Sequence, residues 1–316
     1  MTDNALTSTI PPQAVRPARW RIWFQAVRFF SFTASVIPIL VGSMLALFDR
    51  AFDPLLLLVM LTASVTCHAG ANLANDYFDH VRGIDTVESL GPSKVIQQGL
   101  LRPAEVRRGM IVAFAIATAL GLIIVAEAGW PILALALVSL AAAYFYTGGP
   151  KPLAYVALGE VTVFVFMGPV MIGGAYYVLV DRLTWGAILV SLPVGCLVAL
   201  ILHANNVRDI DLDRRAKKVT LATLLGRRGA NAEFVALVAV AYLAILALIA
   251  WEPSVWPVLV VAVTMPAAVN LVRAVLTATE PAELNRLLRK TAGLHLRFGT
   301  LLSIGLLAAT VVDRLR

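Results

Sequence analysis

Residues 54–80 read PLLLLVMLTASVTCHAGANLANDYFDH. No charge occurs before Asp76, and Asp79 follows three residues later. An uncharged apolar run of about 20 residues is long enough to cross the hydrocarbon core of a bilayer as a helix. The stretch therefore reads as a membrane-spanning helix that ends in acids. On that helix Asn72, Asp76 and Asp79 stand at i, i+4 and i+7 and share one face. Gly83 permits a turn that would bring Asp85 back towards them.

Outward from this segment the same kind of run recurs. Nine apolar stretches appear, at about 22–48, 54–75, 106–126, 130–147, 155–180, 185–206, 233–250, 254–277 and 293–312. Of 316 residues 59% are hydrophobic and 14% charged, with a mean hydropathy of +0.83, where a soluble domain carries about 25% charged residues. The expected fold is all-α and polytopic: nine transmembrane helices around a central cavity. Residues 1–20 read as a disordered cytoplasmic tail and 21–316 as a single transmembrane domain. Cytoplasmic cap loops are expected at about 76–105 and 207–232, the first as a lid over the site, with Arg102-Pro103-Ala-Glu105 opening the next span.

The basic residues orient these spans. Of the 26 Lys and Arg, 22 fall on the side of the N-terminus, and only Arg50, Arg182, Arg314 and Arg316 fall on the other. Cytoplasmic loops carry the excess of Lys and Arg, so the N-terminus and both long loops are expected in the cytoplasm of a cell with an inner (plasma) membrane. The net charge of +7 is thereby accounted for by short loops between apolar runs, which argues against a nucleic-acid partner. Cys67 and Cys196 both lie within apolar runs, which excludes a disulfide framework or a cysteine metal site. No signal peptide with a cleavage site is visible.

A second acidic segment follows the sixth span: His203-Ala-Asn205-Asn206-Val-Arg208-Asp209-Ile-Asp211-Leu-Asp213, running on to Lys217-Lys218. Asn205, Asp209 and Asp213 again share a helical face, and Asp211 points elsewhere. Four spans separate the two segments, the pattern expected if one four-helix unit is used twice and a ninth helix added. Like charges gathered in this way repel unless a cation sits among them. Hard carboxylate oxygens suit Mg²⁺, which fills its remaining shell with water and phosphate oxygens. Lys94, Arg208, Lys217 and Lys218 offer complementary charge for phosphate. Two acidic faces with flanking bases on one side of the membrane describe a metal-bridged diphosphate site.

These residues resemble the UbiA superfamily of intramembrane prenyltransferases. Asn75-Asp76-x-x-Asp79 matches its first motif and Asp209-x-x-x-Asp213 its second. The family's usual third aspartate, four residues after Asp79, is Gly83 here, and Asp85 follows. That spacing is similar to the branch that prenylates 1,4-dihydroxy-2-naphthoate in menaquinone synthesis. So are Gly91-Pro-Ser-Lys94-Val-Ile-Gln-Gln-Gly99-Leu, Tyr146-Thr-Gly-Gly-Pro150-x-Pro-Leu-Ala-Tyr155, Leu158-Gly-Glu160, and Asp209-Ile-Asp211-x-Asp213 running into Lys218-x-Thr220-Leu-Ala. The likeness covers roughly residues 20–310.

The resemblance implies Mg²⁺-dependent transfer of a polyprenyl group from a polyprenyl diphosphate to an aromatic acceptor, 1,4-dihydroxy-2-naphthoate by the closest likeness, with loss of its carboxylate as CO₂. In that reading Asp76, Asp79, Asp209 and Asp213 hold the metal, and Asn72, Asn75, Asp85, Lys94, Asn205, Arg208, Lys217 and Lys218 bind substrate. Tyr146 sits at the same rim, where it would serve the cation or the diphosphate. Glu160 lies just inside the fifth span, where an ionisable group is costly and functional by default; it would bind the acceptor or take its proton. His68 and His203, each just ahead of an acidic segment, read as hydrogen-bonded core histidines. Competing readings are 4-hydroxybenzoate or homogentisate as acceptor, an ion-coupled transporter, and a phospholipid head-group transferase. A transporter places its carboxylates at the bilayer midplane, and a head-group transferase carries an Asp-Gly-x-x-Ala-Arg pattern that is absent here.

Overall fold

Asp53 opens the helix that contains the quoted segment. Its carboxylate accepts from the N–H groups of Leu55 and Leu56 at 2.7 and 3.0 Å, with Pro54 in the first turn. This helix, α3 (Pro54–Val81), runs on through both aspartates. The computed structural model describes residues 17–83 and 93–315, which are almost wholly helical.

A short helix α1 (Arg19–Ala26) and a 3-10 turn (Phe29–Phe32) precede α2 (Thr33–Phe48). After α3 come α4 (Pro103–Ala128) and α5 (Trp130–Phe145). Next are α6 (Gly159–Val165) and α7 (Met171–Val180), joined by a π turn (Phe166–Val170). Pro169 lies in that turn and cannot supply a helical N–H. The second acidic segment lies on α8 (Trp185–Arg208) and α9 (Ile210–Arg215). The chain ends with α10 (Leu221–Trp251), a 3-10 stretch (Pro253–Thr264) leading into α11 (Met265–Thr277), and α12 (Pro281–Arg314).

Eight of these helical segments are long and apolar enough to cross a membrane. The ninth expected span is α5, whose 16 residues extend only about 24 Å. The chain is thus a multi-pass helical protein, with boundaries that differ from the hydropathy reading. The first expected span divides at Arg28, whose φ of 54° and ψ of 53° are left-handed and cannot continue an α-helix. The two cap loops are shorter than expected, because α3 reaches Val81, α8 reaches Arg208 and α10 begins at Leu221. The start of α4 at Pro103, with Glu105 accepting from the Arg102 N–H at 2.9 Å, is as expected.

The main core is formed by α2, α7, α8, α10 and α12, with Leu197, Leu200, Phe298, Leu302 and Leu306 fully buried. A second packed group joins α1, α3 and α4. Where α6 and its π turn cross α8, glycines let backbones touch, as membrane helices require of small residues. A Cβ on Gly195 would lie 2.9 Å from the Phe164 carbonyl oxygen and 3.2 Å from the Gly168 Cα. Neither backbone atom can yield. Gly195→Val is therefore expected to destabilise the fold by about 1–3 kcal/mol, read as a lower thermal midpoint in detergent. An unchanged midpoint would show that the crossing tolerates separation.

Candidate active site

A cavity of about 650 Å³ runs between the helices and unites the two acidic ends. Its mouth is lined by Asp79, Asn205, Arg208, Asp209, Asp213 and Lys218, and its far end by Ile39, Ile124, Ile132 and Val178. Tyr146 and Ile132 both line it from α5 and the residue that caps it. Fourteen positions of helix separate them, a depth of about 21 Å. A polar mouth thus leads into a long apolar channel.

At the first acidic end, Arg28 is central. Its guanidinium lies 2.5 Å from Asp76 Oδ1 and 2.6 Å from Asn75 Oδ1. Asn75 donates in turn to Asp79 Oδ2 at 2.8 Å, and the Tyr155 hydroxyl donates to Asp79 Oδ1. Asn72 donates to the Val27 carbonyl at 2.8 Å and to Ser31 Oγ at 3.2 Å. It therefore secures the left-handed turn that presents Arg28, while also lining the cavity. Asp76 lies behind the wall, 5% exposed, and its Oδ2 has no partner.

At the second end, Arg208 grips Asp209 with Nε and Nη2 at 2.7 and 2.6 Å, and also reaches Asn205 and Asn285. Asp209 ends α8, but the turn continues: the Asp213 N–H still reaches the Asp209 carbonyl at 2.8 Å. Asp213 is 6% exposed and pairs with Lys218 at 3.3 Å, leaving its Oδ2 without a partner. Burial, opposed by Lys218, pushes the Asp213 carboxyl up to about 6. The exposed Asp211 pairs with Arg214 at 3.7 Å, away from the mouth as expected.

The two ends are joined through the loop that follows α5, whose Tyr155 holds Asp79. Val156 and Val219 form an isolated parallel bridge, in which the Ala157 N–H donates to Val219 at 2.9 Å and the Val219 N–H to Tyr155 at 3.2 Å. Lys218 Nζ lies 5.8 Å from the Tyr155 ring centre, and Arg82 stacks on the same ring at 5.4 Å. Arg82 also donates to the Thr147 and Gly149 carbonyls.

Most of the expected site residues converge here, with exceptions. Lys217 has a φ of 54° and turns outward, exposed, because the chain must reverse before α10. Lys94, with a φ of 51°, is off the cavity wall. Asp85 lies outside the described residues. Glu160 sits behind the wall, 3% exposed, accepting from Asn206 at 2.7 Å, and it is Asn206 that lines the cavity. His68 is hydrogen-bonded to Ser31 and Ser35 at 3.2 and 2.6 Å, as expected, but it is only half-buried and lines the cavity instead of lying in the core.

Tyr155 and Asn206 stand in the sequence motifs without a role of their own, and Arg28 and Arg82 were not singled out. Arg28 had a signal, since a charge inside an apolar run is functional by default.

The donor set at the mouth is all oxygen, and two buried carboxylate oxygens, one from each end, lack partners. A hard divalent cation such as Mg²⁺ fits that set, with Arg28 and Lys218 placed for phosphate.

Comparison with known proteins agrees with this arrangement. Residues 35–294 match the UbiA prenyltransferase family. The chain is 36% identical over 288 residues to a 1,4-dihydroxy-2-naphthoate octaprenyltransferase of Bacillus subtilis, covering 91% of this chain and 92% of that one. It is 31% identical to mouse UbiA prenyltransferase domain-containing protein 1, covering 95% and 89%. The fold is similar to that of a UbiA homolog from Archaeoglobus fulgidus bound to GPP and Mg²⁺, with a TM-score of 0.65 at 14% identity, covering 89% of this chain and 99% of that one. The matched region begins in α2 and ends in α12, so it takes in both acidic ends and the cavity between them: the chain belongs to the UbiA prenyltransferase family and is a prenyltransferase.

Proposed function

We propose that the protein transfers a polyprenyl group from polyprenyl diphosphate to 1,4-dihydroxy-2-naphthoate in the presence of Mg²⁺, releasing pyrophosphate and CO₂ and forming demethylmenaquinol. The observation that carries this reading is the cavity itself: Asp79, Asp209 and Asp213 line one end of an apolar channel with Arg28, Arg208 and Lys218, and Asp76 lies behind that wall, paired with Arg28. The acceptor follows from the relatives that bear that activity in their names. The mouth would face the cytoplasm of a cell with an inner membrane, as the basic loops require.

Asp76, Asp79, Asp209 and Asp213 would hold the metal, and Arg28 and Lys218 the diphosphate oxygens. Mg²⁺ bound there supplies positive charge for the departing diphosphate. Arg208 and Tyr155 fix the Asp209 and Asp79 carboxylates in place, so little reorganisation accompanies the charge shift. As the allylic C–O bond breaks, the apolar channel keeps water from the carbocation. The acceptor's ring carbon forms the new C–C bond. Its carboxylate leaves as CO₂, in place of the ring proton that another aromatic acceptor would shed. Glu160 orients Asn206 at the wall, which Tyr146 also lines.

A proton on Asp213 competes with metal. Its carboxyl, raised to about 6, is protonated below that pH and free above it. The Mg²⁺ concentration for half-maximal activity is therefore expected to rise about tenfold from pH 7 to pH 5. A flat requirement over that range would remove Asp213 from the metal set.

The reading is tested with purified protein, Mg²⁺, a polyprenyl diphosphate and a panel of acceptors, followed by mass spectrometry. A prenylated naphthoquinol formed with loss of CO₂ supports it. A product from 4-hydroxybenzoate or homogentisate, and none from the naphthoate, overturns the acceptor.

A further inference from the structure

Behind the cavity wall three ionisable side chains meet where α6, α8 and α10 pack. They are Glu160, His203 and Glu233. His203 is fully buried and Glu160 is 3% exposed. His203 Nε2 lies 2.7 Å from the Ala230 carbonyl oxygen. A carbonyl only accepts, so Nε2 carries a proton and Nδ1 faces the carboxylates. Nδ1 stands 3.6 Å from Glu160 Oε1 and 3.6 Å from Glu233 Oε2.

That distance is too long for a hydrogen bond. It is close to the roughly 3.4 Å that separates ligand atoms around a tetrahedral ion with bonds of about 2.1 Å. His203 Nδ1, Glu160 Oε2 and Glu233 Oε2 are all buried and without a hydrogen-bond partner. Two carboxylates turned towards one imidazole nitrogen among apolar helices are strongly unfavourable unless positive charge, a metal ion or a proton on Nδ1, lies between them. Among the described residues no Lys or Arg forms an ion pair with either glutamate. Arg227, on the same helix as Glu233, is committed to Asn231 and to the Val275 and Ala278 carbonyls.

We propose that Glu160, His203 and Glu233 form a second metal site that binds one zinc-type ion and ties α6, α8 and α10 together. The outer contacts are those of a ligating set. A backbone carbonyl fixes the far nitrogen of the imidazole, and Asn206 donates to Glu160 Oε1 at 2.7 Å. One imidazole and two carboxylates suit Zn²⁺, whereas the all-oxygen mouth suits Mg²⁺. The ion's effect on the channel passes through Asn206, which hangs from Glu160 and lines the wall.

The test uses the full chain in detergent, stripped with chelator and re-equilibrated with Zn²⁺ in excess Mg²⁺. Metal content is measured by mass spectrometry and the zinc shell by X-ray absorption. Expected are about one Zn²⁺ per chain, imidazole scattering in its shell, and a higher thermal midpoint with zinc bound. Glu233→Gln and His203→Gln should each weaken retention at least about tenfold. Trace zinc only, a shell without imidazole, or retention unaffected by both substitutions would each overturn the proposal; trace zinc would leave a proton on His203 as the neutralising charge. The unsubstituted chain decides the first two outcomes, so a variant that fails to fold does not leave the question open.

Discussion

Asp213→Ala and Asp76→Ala are each expected to lower kcat by on the order of 10²–10³-fold while leaving a folded protein. Each removes a buried carboxylate with one oxygen engaged by a base and the other without a partner. A purely structural ion pair would use both. Asp76→Ala also leaves Arg28 without its ion-pair partner, so part of its effect should appear as a lower thermal midpoint. Asp213→Ala likewise leaves Lys218, whose side chain is 18% exposed against 17% for Arg28, without its ion-pair partner, so it should lower the midpoint to a similar degree while also raising the Mg²⁺ requirement. Turnover within about threefold of the native value for both would sink the assignment of the mouth as the metal site.

Ala136→Phe is expected to divide substrates by chain length. Ala136 lines the channel from α5 ten positions before Tyr146, about 15 Å from the mouth. A phenyl ring there blocks the passage towards Ile132 and Ile124 without touching the charged groups. For a long polyprenyl diphosphate kcat/KM should fall at least about tenfold, while a geranyl donor, which ends before the block, should be spared. Equal losses for both donors would mean that the tail takes another route.

Hydropathy located the spans because apolar runs of this length have few alternatives. It misjudged their ends because a helix continues as long as its backbone hydrogen bonds do, whatever the polarity of its side chains. Thus α3 carries Asp76 and Asp79 inside its last turns. Likewise α12 begins at Pro281, twelve residues ahead of the last apolar run, and brings Asn285 onto Arg208. The aspartates themselves were legible from spacing. Their partners were not, because Arg28 meets Asp76 across 48 residues and Tyr155 meets Asp79 across 76. Such pairs depend on which helices become neighbours. Lys217 and Lys218 are adjacent in the chain, yet a single left-handed residue sends one outward and one inward.

The bridge between Val156 and Val219 has a mechanical consequence. Membrane helices tilt and slide as bilayer thickness changes, each at modest cost. The two acidic helix ends would then drift apart, and a metal shared between them would lose its geometry. A backbone clasp between the loops that follow α5 and α9, tied to α3 by Tyr155 on Asp79 and by Arg82 on the Thr147 and Gly149 carbonyls, opposes that motion at the rim. Deformation would then fall on the opposite end of the bundle, where Ile39, Ile124, Ile132 and Val178 line the channel and small displacements cost little. The spacing of the charged groups would thus be insulated from the lipid around the helices.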